Sequence, residues 1–288
     1  MNGLMAYITI LRPKQWTKNI LVFAALLFSV KVATWNMLLQ SLAAFFLFCA
    51  VSGCVYIMND YMDREADKKH PEKRFRPIAS GQITPGRALL FGLLLLLGTV
   101  AGGWYLDFQF AGLLIIYFLV NIAYSYRLKH VVILDIMIIA FGFVLRAIGG
   151  GLAIGVPFTP WFLLCTMLLA LFLAISKRRH ELYLLNEGKG KHRRVLEQYS
   201  PELLNQLNSI VTTAAIISYS LFTFTSGRTI HLMWTIPIVM YGIFRYLYLI
   251  HLKGKGGKPE QVLLEDRHIL FTVLLFAVTV VTILYYFE

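Results

Sequence analysis

Nine stretches of this chain are apolar over lengths that suit a crossing of a lipid bilayer, and that repetition limits the fold more than any other feature. They run roughly over residues 20–32, 38–58, 88–105, 110–126, 131–152, 161–176, 207–225, 232–252 and 269–287. A hydrocarbon core about 30 Å thick takes ~20 helical residues. The first stretch is short for this, and reaches the length only by extending back towards Trp16. At 58% hydrophobic residues and a mean hydropathy of +0.67, the 288 residues are too apolar for a soluble domain. The expectation is a single all-α polytopic membrane domain over residues 1–288. Arg12, Lys14 and Lys18 precede the first stretch, but no small-residue cleavage site follows it, so no cleaved leader is expected. Cys49, Cys54 and Cys165 all fall inside apolar stretches and read as small core side chains, neither disulfide framework nor zinc site.

The formal charge is +12, and its distribution explains it. With the N-terminus on the cytoplasmic side, the inner segments are 1–19, 59–87, 127–130, 177–206 and 253–268. They hold all of the 27 lysines and arginines except Lys31 and Arg228 in outer loops and Arg146 and Arg245 within spans. This is a positive-inside pattern, and it supports both the spans and the orientation. No nucleic-acid-binding module is present, and nucleic acid is not an expected partner. No internal repeat is evident. Candidate functional residues crowd one side, which suits an enzyme drawing a soluble substrate from the cytosol better than a transporter with polar residues at mid-membrane.

The sharpest motif directly follows the second stretch: Asn59-Asp60-Tyr61-Met62-Asp63-Arg64-Glu65-Ala66-Asp67. If the helix runs on through it, Asp60, Asp63 and Asp67 lie at i, i+3 and i+7, on one face with Asn59 beside them. Carboxylates this close repel unless a cation sits among them. Hard oxygen ligands suit Mg²⁺, which commonly bridges to substrate phosphates. The expectation is a Mg²⁺–diphosphate site at the membrane surface, with Asp60, Asp63 and Asp67 as catalytic groups; the alternative is a solvated acidic helix end. Pro71 stops the helix, and Pro77 and Gly81 shape a loop carrying Lys73, Arg74 and Arg76, which could fold back to bind phosphate.

Other residues are weaker candidates. Tyr124, Ser125, Tyr126 and Lys129 close the fourth stretch, and Asp135 lies just inside the fifth, where an unpaired carboxylate is costly. Lys129 is its nearest candidate partner; a second metal-side role is the other reading. Arg146 follows eleven residues later on the same helical face and needs an anionic partner or a phosphate. Lys177 and Arg178 end the sixth stretch as phosphate-binding candidates, with Glu181 placed to orient them. Asp266 precedes the last stretch and is little informative. Lys14 and Lys18 are one turn apart and could meet an anionic lipid head, beside Trp16 as an interfacial anchor. Gly149-Gly150-Gly151 permits close helix packing or a kink. There is no nucleophilic triad and no glycine-rich nucleotide loop.

The Asn-Asp-x-x-Asp-x-x-x-Asp pattern at the end of a second span in a nine-span chain resembles the UbiA superfamily of intramembrane prenyltransferases. The runs Leu11-Arg12-Pro13-Lys14-Gln15-Trp16-Thr17-Lys18-Asn19, Lys73-Arg74-Phe75-Arg76-Pro77-Ile78-Ala79-Ser80-Gly81 and Tyr124-Ser125-x-x-Leu128-Lys129 are similar to its decaprenyl-phosphate phosphoribosyltransferase branch, which serves arabinan assembly for the cell wall. The resemblance implies a helical bundle around a cytoplasm-facing cavity in a bacterial inner membrane. It also implies Mg²⁺-dependent transfer of 5-phosphoribose from phosphoribosyl diphosphate to a polyprenyl phosphate lipid, with release of diphosphate. Asn59, Asp60, Asp63 and Asp67 would hold the metal. Lys18, Lys73, Arg74, Arg76, Tyr126, Lys129, Arg146, Lys177 and Arg178 would meet substrate phosphates. One departure stands out: many superfamily members carry a second Asp-x-x-x-Asp motif, whereas here Asp135 is followed at +4 by Ile139. That departure is compatible with a donor other than a prenyl diphosphate. Two other classes stay open, an aromatic-acceptor prenyltransferase using a prenyl diphosphate and a non-enzymatic polyprenyl-lipid carrier or transporter. A homo-oligomer is compatible with these features and not specified by them.

Overall fold

A computed structural model describes residues 3–29, 33–186, 194–253, 262 and 265–288. Every regular element among them is helical. After α1 (Gly3–Ile10), a 3₁₀ helix covers Pro13–Phe23 and passes into the short α2 (Ala24–Leu27). There follow α3 (Trp35–Met62), α4 (Arg64–Lys68), α5 (Pro85–Leu106), α6 (Phe108–Tyr126), α7 (Leu134–Ile154), α8 (Pro160–Asn186), α9 (Pro201–Thr225), α10 (Ile236–Leu252) and α11 (Arg267–Phe287). Local chemistry sets the starts of these helices. Thr34, Asp107, Ser200 and Asp266 each accept a hydrogen bond from the backbone N–H three residues on. Pro85, Pro160 and Pro201 open their helices, where a missing N–H costs nothing.

Eight helices among the described residues are long and apolar enough to cross a membrane, and they coincide with the second to ninth expected stretches. The first expected crossing takes another form. Its part in 20–27 is the end of the 3₁₀ helix and α2, and residues 30–32 lie outside the described residues. A 3₁₀ helix rises about 2.0 Å per residue and an α-helix about 1.5 Å. Pro13–Leu27 therefore reaches roughly 28 Å with few residues, nearly the thickness of a hydrocarbon core.

α3 and α7 are the central helices, with more than half of their apolar stretches buried, whereas most of α5 is not. α5 turns Leu90, Leu93, Leu94 and Leu97 outward, as a lipid-facing helix does. Val22, Phe48, Phe110, Leu114 and Leu145 form the core of the N-terminal half, where α3, α6, α7 and the 3₁₀ helix meet. Phe172, Ile175, Leu204 and Ile243 belong to a second core among α8, α9 and α10. The triple glycine is a close-packing site. A Cβ on Gly149 would collide with the Phe48 ring, one on Gly150 with the Val22 carbonyl oxygen, and one on Gly151 with the Phe158 ring. The 3₁₀ helix thus lies directly against α7. Cys49 and Cys54 are buried free thiols, and Cys165 is a half-buried one.

At about 42 Å, the 28 residues of α3 overshoot the hydrocarbon core. Its last turns therefore bring Asn59 and Asp60 to one end of the bundle. The same end gathers the first turn of α7, the C-terminal part of α8 and the segment before α9.

Candidate active site

The acidic motif does not lie on one unbroken helix. α3 stops at Met62, Asp63 takes φ −89°, ψ 4°, and the chain re-enters the helical form as α4. Hydrogen bonding bridges the break: the Asp63 N–H donates to Asn59 O at 2.9 Å and the Asp67 N–H to Asp63 O at 2.8 Å. This kink divides the expected trio. Asp60 and Asp67, each only 2% exposed, turn towards a common point. Asp63 turns away, its side chain 41% exposed, with Lys129 Nζ 3.8 Å from its carboxylate.

One guanidinium joins the buried pair. Arg76 Nη1 donates to Asp60 Oδ1 at 3.0 Å and to Asp67 Oδ2 at 2.7 Å. Arg12 pairs with the same Asp60 oxygen, and Lys73 Nζ stands 3.5 Å from Asp67 Oδ1. Two buried carboxylates this close are tolerable only because three cations surround them. Arg12 was not among the residues expected at the site. It lies 48 residues before Asp60, and the sequence marks it only as a basic residue of the Leu11–Asn19 run. Its backbone is left-handed, φ 52°, ψ 64°, uncommon for a residue with a side chain. Its guanidinium also stacks 4.7 Å from the centre of the Tyr56 ring. The buried Asn59 Oδ1 has no hydrogen-bond partner. Among the described residues no cluster of three or more His, Cys, Asp or Glu side chains is close enough to ligate one ion.

Asp135 anchors a second buried network. Its expected partner, Lys129, instead faces Asp63. Arg178 from α8 donates its Nε to Asp135 Oδ2 at 2.6 Å, and both side chains are fully buried. Arg178 Nη1 reaches Glu181 Oε2 at 2.5 Å. The Tyr199 hydroxyl donates to Asp135 Oδ1 at 2.7 Å and accepts from the Ile133 N–H at 2.8 Å. Burial, together with that hydrogen bond to a carboxylate, pushes the Tyr199 phenol well above its ordinary range. Ile133, β-branched, is held at φ 70°, a conformation that costs on the order of 1–3 kcal/mol and persists under this anchoring. With every Asp135 oxygen engaged by Arg178 and Tyr199, the residue acts in this state as a tie between α7, α8 and the segment before α9.

Arg146 does not pair with Asp135. Its Nε donates to Asn19 Oδ1 at 2.7 Å, its Nη2 to the Tyr117 hydroxyl at 2.6 Å and its Nη1 to the Gly142 carbonyl at 2.7 Å. Tyr117 and Phe143 rings flank it at 4.9 and 5.2 Å. The cation is thus fully engaged by neutral groups, the 3₁₀ helix supplying one of them through Asn19.

The remaining candidates scatter. Lys177 is half-buried and has no ion pair among the described residues. Arg74 lies over the Phe75 ring at 4.8 Å. Lys14 and Tyr126 are exposed, Lys18 and Tyr124 half-buried. The Ser125 hydroxyl bonds back to the Asn121 carbonyl at 2.8 Å. Asp266 grips Arg245 through both oxygens, at 3.2 and 2.8 Å, and caps α11 through the Ile269 N–H at 3.0 Å, which accounts for it structurally.

Comparison with known proteins bears on this arrangement. The profile of the UbiA prenyltransferase family matches residues 19–264. The decaprenyl-phosphate phosphoribosyltransferase of Mycolicibacterium smegmatis is 34% identical over 280 residues, covering 92% of this chain and 88% of that protein. Its counterpart in Mycobacterium tuberculosis is 32% identical, covering 94% and 91%. That of Corynebacterium glutamicum is 35% identical, covering 89% and 80%. A UbiA homologue from Archaeoglobus fulgidus bound to GPP and Mg²⁺ superposes with a TM-score of 0.73 at 18% identity, over 97% of this chain and 99% of that one. A digeranylgeranylglyceryl phosphate synthase structure also gives 0.73, at 20% identity, over 98% and 100%. These two likenesses establish the fold.

Proposed function

The chain belongs to the UbiA prenyltransferase family, and from that premise we propose that it transfers 5-phosphoribose from phosphoribosyl diphosphate to a polyprenyl phosphate, releasing diphosphate. The observation that carries the reading is identity of 32–35% to phosphoribosyltransferases over about nine-tenths of the chain. The charged end of the bundle supports it. There two buried carboxylates stand among Arg12, Lys73 and Arg76, as a multiply phosphorylated substrate and a cation would need. The lone Asp135, already consumed by Arg178 and Tyr199, agrees with a donor other than a prenyl diphosphate.

The donor set fits a hard divalent cation. Asp60 and Asp67 come close enough to share one guanidinium nitrogen, and Asn59 Oδ1 beside them lacks a partner. In this reading Asp60, Asp67 and Asn59 would hold Mg²⁺, which when bound would neutralise and orient the departing diphosphate; Asp63, turned away towards Lys129, is not one of the ligands in this arrangement. Arg76, released from the carboxylates, turns its fork of donors to phosphate, and Lys73 adds a point charge. Lys129, beside Asp63, and Lys177 are the further lysines proposed to meet phosphate oxygens. The bond from C1 of the ribose to diphosphate lengthens and breaks, the electron pair leaving with the diphosphate. A lipid phosphate oxygen bonds to C1 from the opposite face, with inversion. That oxygen is already anionic near neutral pH, the second phosphate pKa being about 6, so no strong base is required. The apolar spans shelter the isoprenoid tail, each buried CH₂ contributing about 0.8 kcal/mol. The positive-inside distribution supports the charged end lying in the cytoplasm, and the bacterial phosphoribosyltransferases that the chain resembles support placement in a bacterial inner membrane.

Purified protein incubated with Mg²⁺, decaprenyl phosphate and phosphoribosyl diphosphate should yield a lipid heavier by one phosphoribosyl group, seen by mass spectrometry. A protein that ignores this donor and instead prenylates an aromatic acceptor from geranyl diphosphate would overturn the proposal.

A further inference from the structure

A cleft of about 470 Å³ opens between α9 and α10, away from the acidic motif. Asn205, Asn208, Ser209 and Thr212 follow one another at helical spacing, so α9 presents a polar stripe to it. Such a stripe on a membrane helix is costly unless something satisfies it. One member is not satisfied: Thr212 is 8% exposed, and its buried Oγ1 has no hydrogen-bond partner. Beside the cleft, Arg179 Nε donates to the lining Asn205 Oδ1 at 2.7 Å, and the His251 imidazole also lines it. No carboxylate lines the cleft among the described residues. On the α10 side Leu247 and Leu252 line it together with Tyr248 and His251.

A guanidinium held beside the cleft by Asn205, an imidazole and an unsatisfied threonine hydroxyl in its lining, and leucines on the α10 side are complementary to an anion joined to an aliphatic chain. We propose that this cleft is a second anion site, which binds a phosphate group. It shares no residue with the acidic motif and stands whether or not the transferase reading holds. The phosphate can be a lipid headgroup or free inorganic phosphate, and the same measurement tells them apart.

The test is native mass spectrometry of the delipidated full-length protein in detergent, titrated with dioleoyl phosphatidic acid, with dioleoylglycerol as the uncharged control. One phosphatidic acid adduct should weaken at least tenfold in Arg179→Gln, since a charge-assisted hydrogen bond to phosphate is lost. His251→Gln and the near-isosteric Thr212→Val should weaken it by smaller factors, and dioleoylglycerol should not occupy the site. Millimolar inorganic phosphate that displaces this adduct identifies free phosphate as the occupant; an adduct that resists it identifies the lipid headgroup. Full retention of the adduct in His251→Gln and Thr212→Val overturns the proposal, and those two variants decide the matter if Arg179→Gln does not fold.

Discussion

Breaking the Asp135–Arg178 pair should destabilise the protein far more than removing both partners. The two side chains are 0% and 2% exposed and 2.6 Å apart. A charge pair at about 4 Å is worth roughly 4 kcal/mol at an effective dielectric near 20. Taking away one partner of a buried pair typically costs about 3–5 kcal/mol, because the other charge stays buried without compensation. In Arg178→Met the Asp135 carboxylate keeps only the Tyr199 hydroxyl, so the full loss applies. In Asp135→Leu, Arg178 retains Glu181, so the loss should fall at the lower end. By the usual entropy scaling for 288 residues, Arg178→Met should lower Tm by roughly 5–8 °C. The double variant Asp135→Leu/Arg178→Met should recover much of this, because two apolar side chains of similar size need no solvation. Tryptophan fluorescence during heating of the detergent-purified proteins measures all four corners of the cycle. If Arg178→Met lowers Tm by less than about 2 °C, or if the two changes add without coupling, the network does not tie the helices as argued.

At the acidic motif, Asp67→Asn should lower kcat by at least ~100-fold and Asp63→Asn, at the carboxylate turned away from the pair, by much less, measured with radiolabelled phosphoribosyl diphosphate; a native rate in Asp67→Asn would reject the site. EDTA should stop transfer and added Mg²⁺ restore it, and undiminished turnover in EDTA would remove the cation from the scheme. Gly150→Ala should cost about 1–3 kcal/mol or more in thermal unfolding, since its Cβ would strike the Val22 carbonyl. The raised Tyr199 phenol stabilises the fold fully below its ordinary pKa of 10.0. That contribution is lost as pH rises beyond it, because the unfolded chain ionises first. Unfolding midpoints should therefore fall above pH 10, and the Tyr199 share of that slope should vanish in Tyr199→Phe.

The positions of eight crossings and the end of the bundle where charge collects were determined by the sequence alone. Hydropathy and the lysine–arginine bias are local quantities, summed over neighbours in the chain, and the lipid solvent enforces them segment by segment. The Asn59–Asp67 motif was legible for the same reason, as were the close-packing glycines. Which charge meets which was decided only in three dimensions. Arg12 and Arg76 converge on Asp60 across 48 and 16 residues, and Tyr199 reaches Asp135 across 64. No periodicity encodes such meetings; they depend on how helices cross and where loops return. The split of the acidic trio has a local cause, the break at Asp63, but a run of apolar and acidic residues does not announce a kink. Arg146 makes the point most sharply. Eleven residues from Asp135 and on the same face by helical count, it is held by Asn19 and Tyr117, because the 3₁₀ helix packs against α7 nearer to Arg146 than any carboxylate lies.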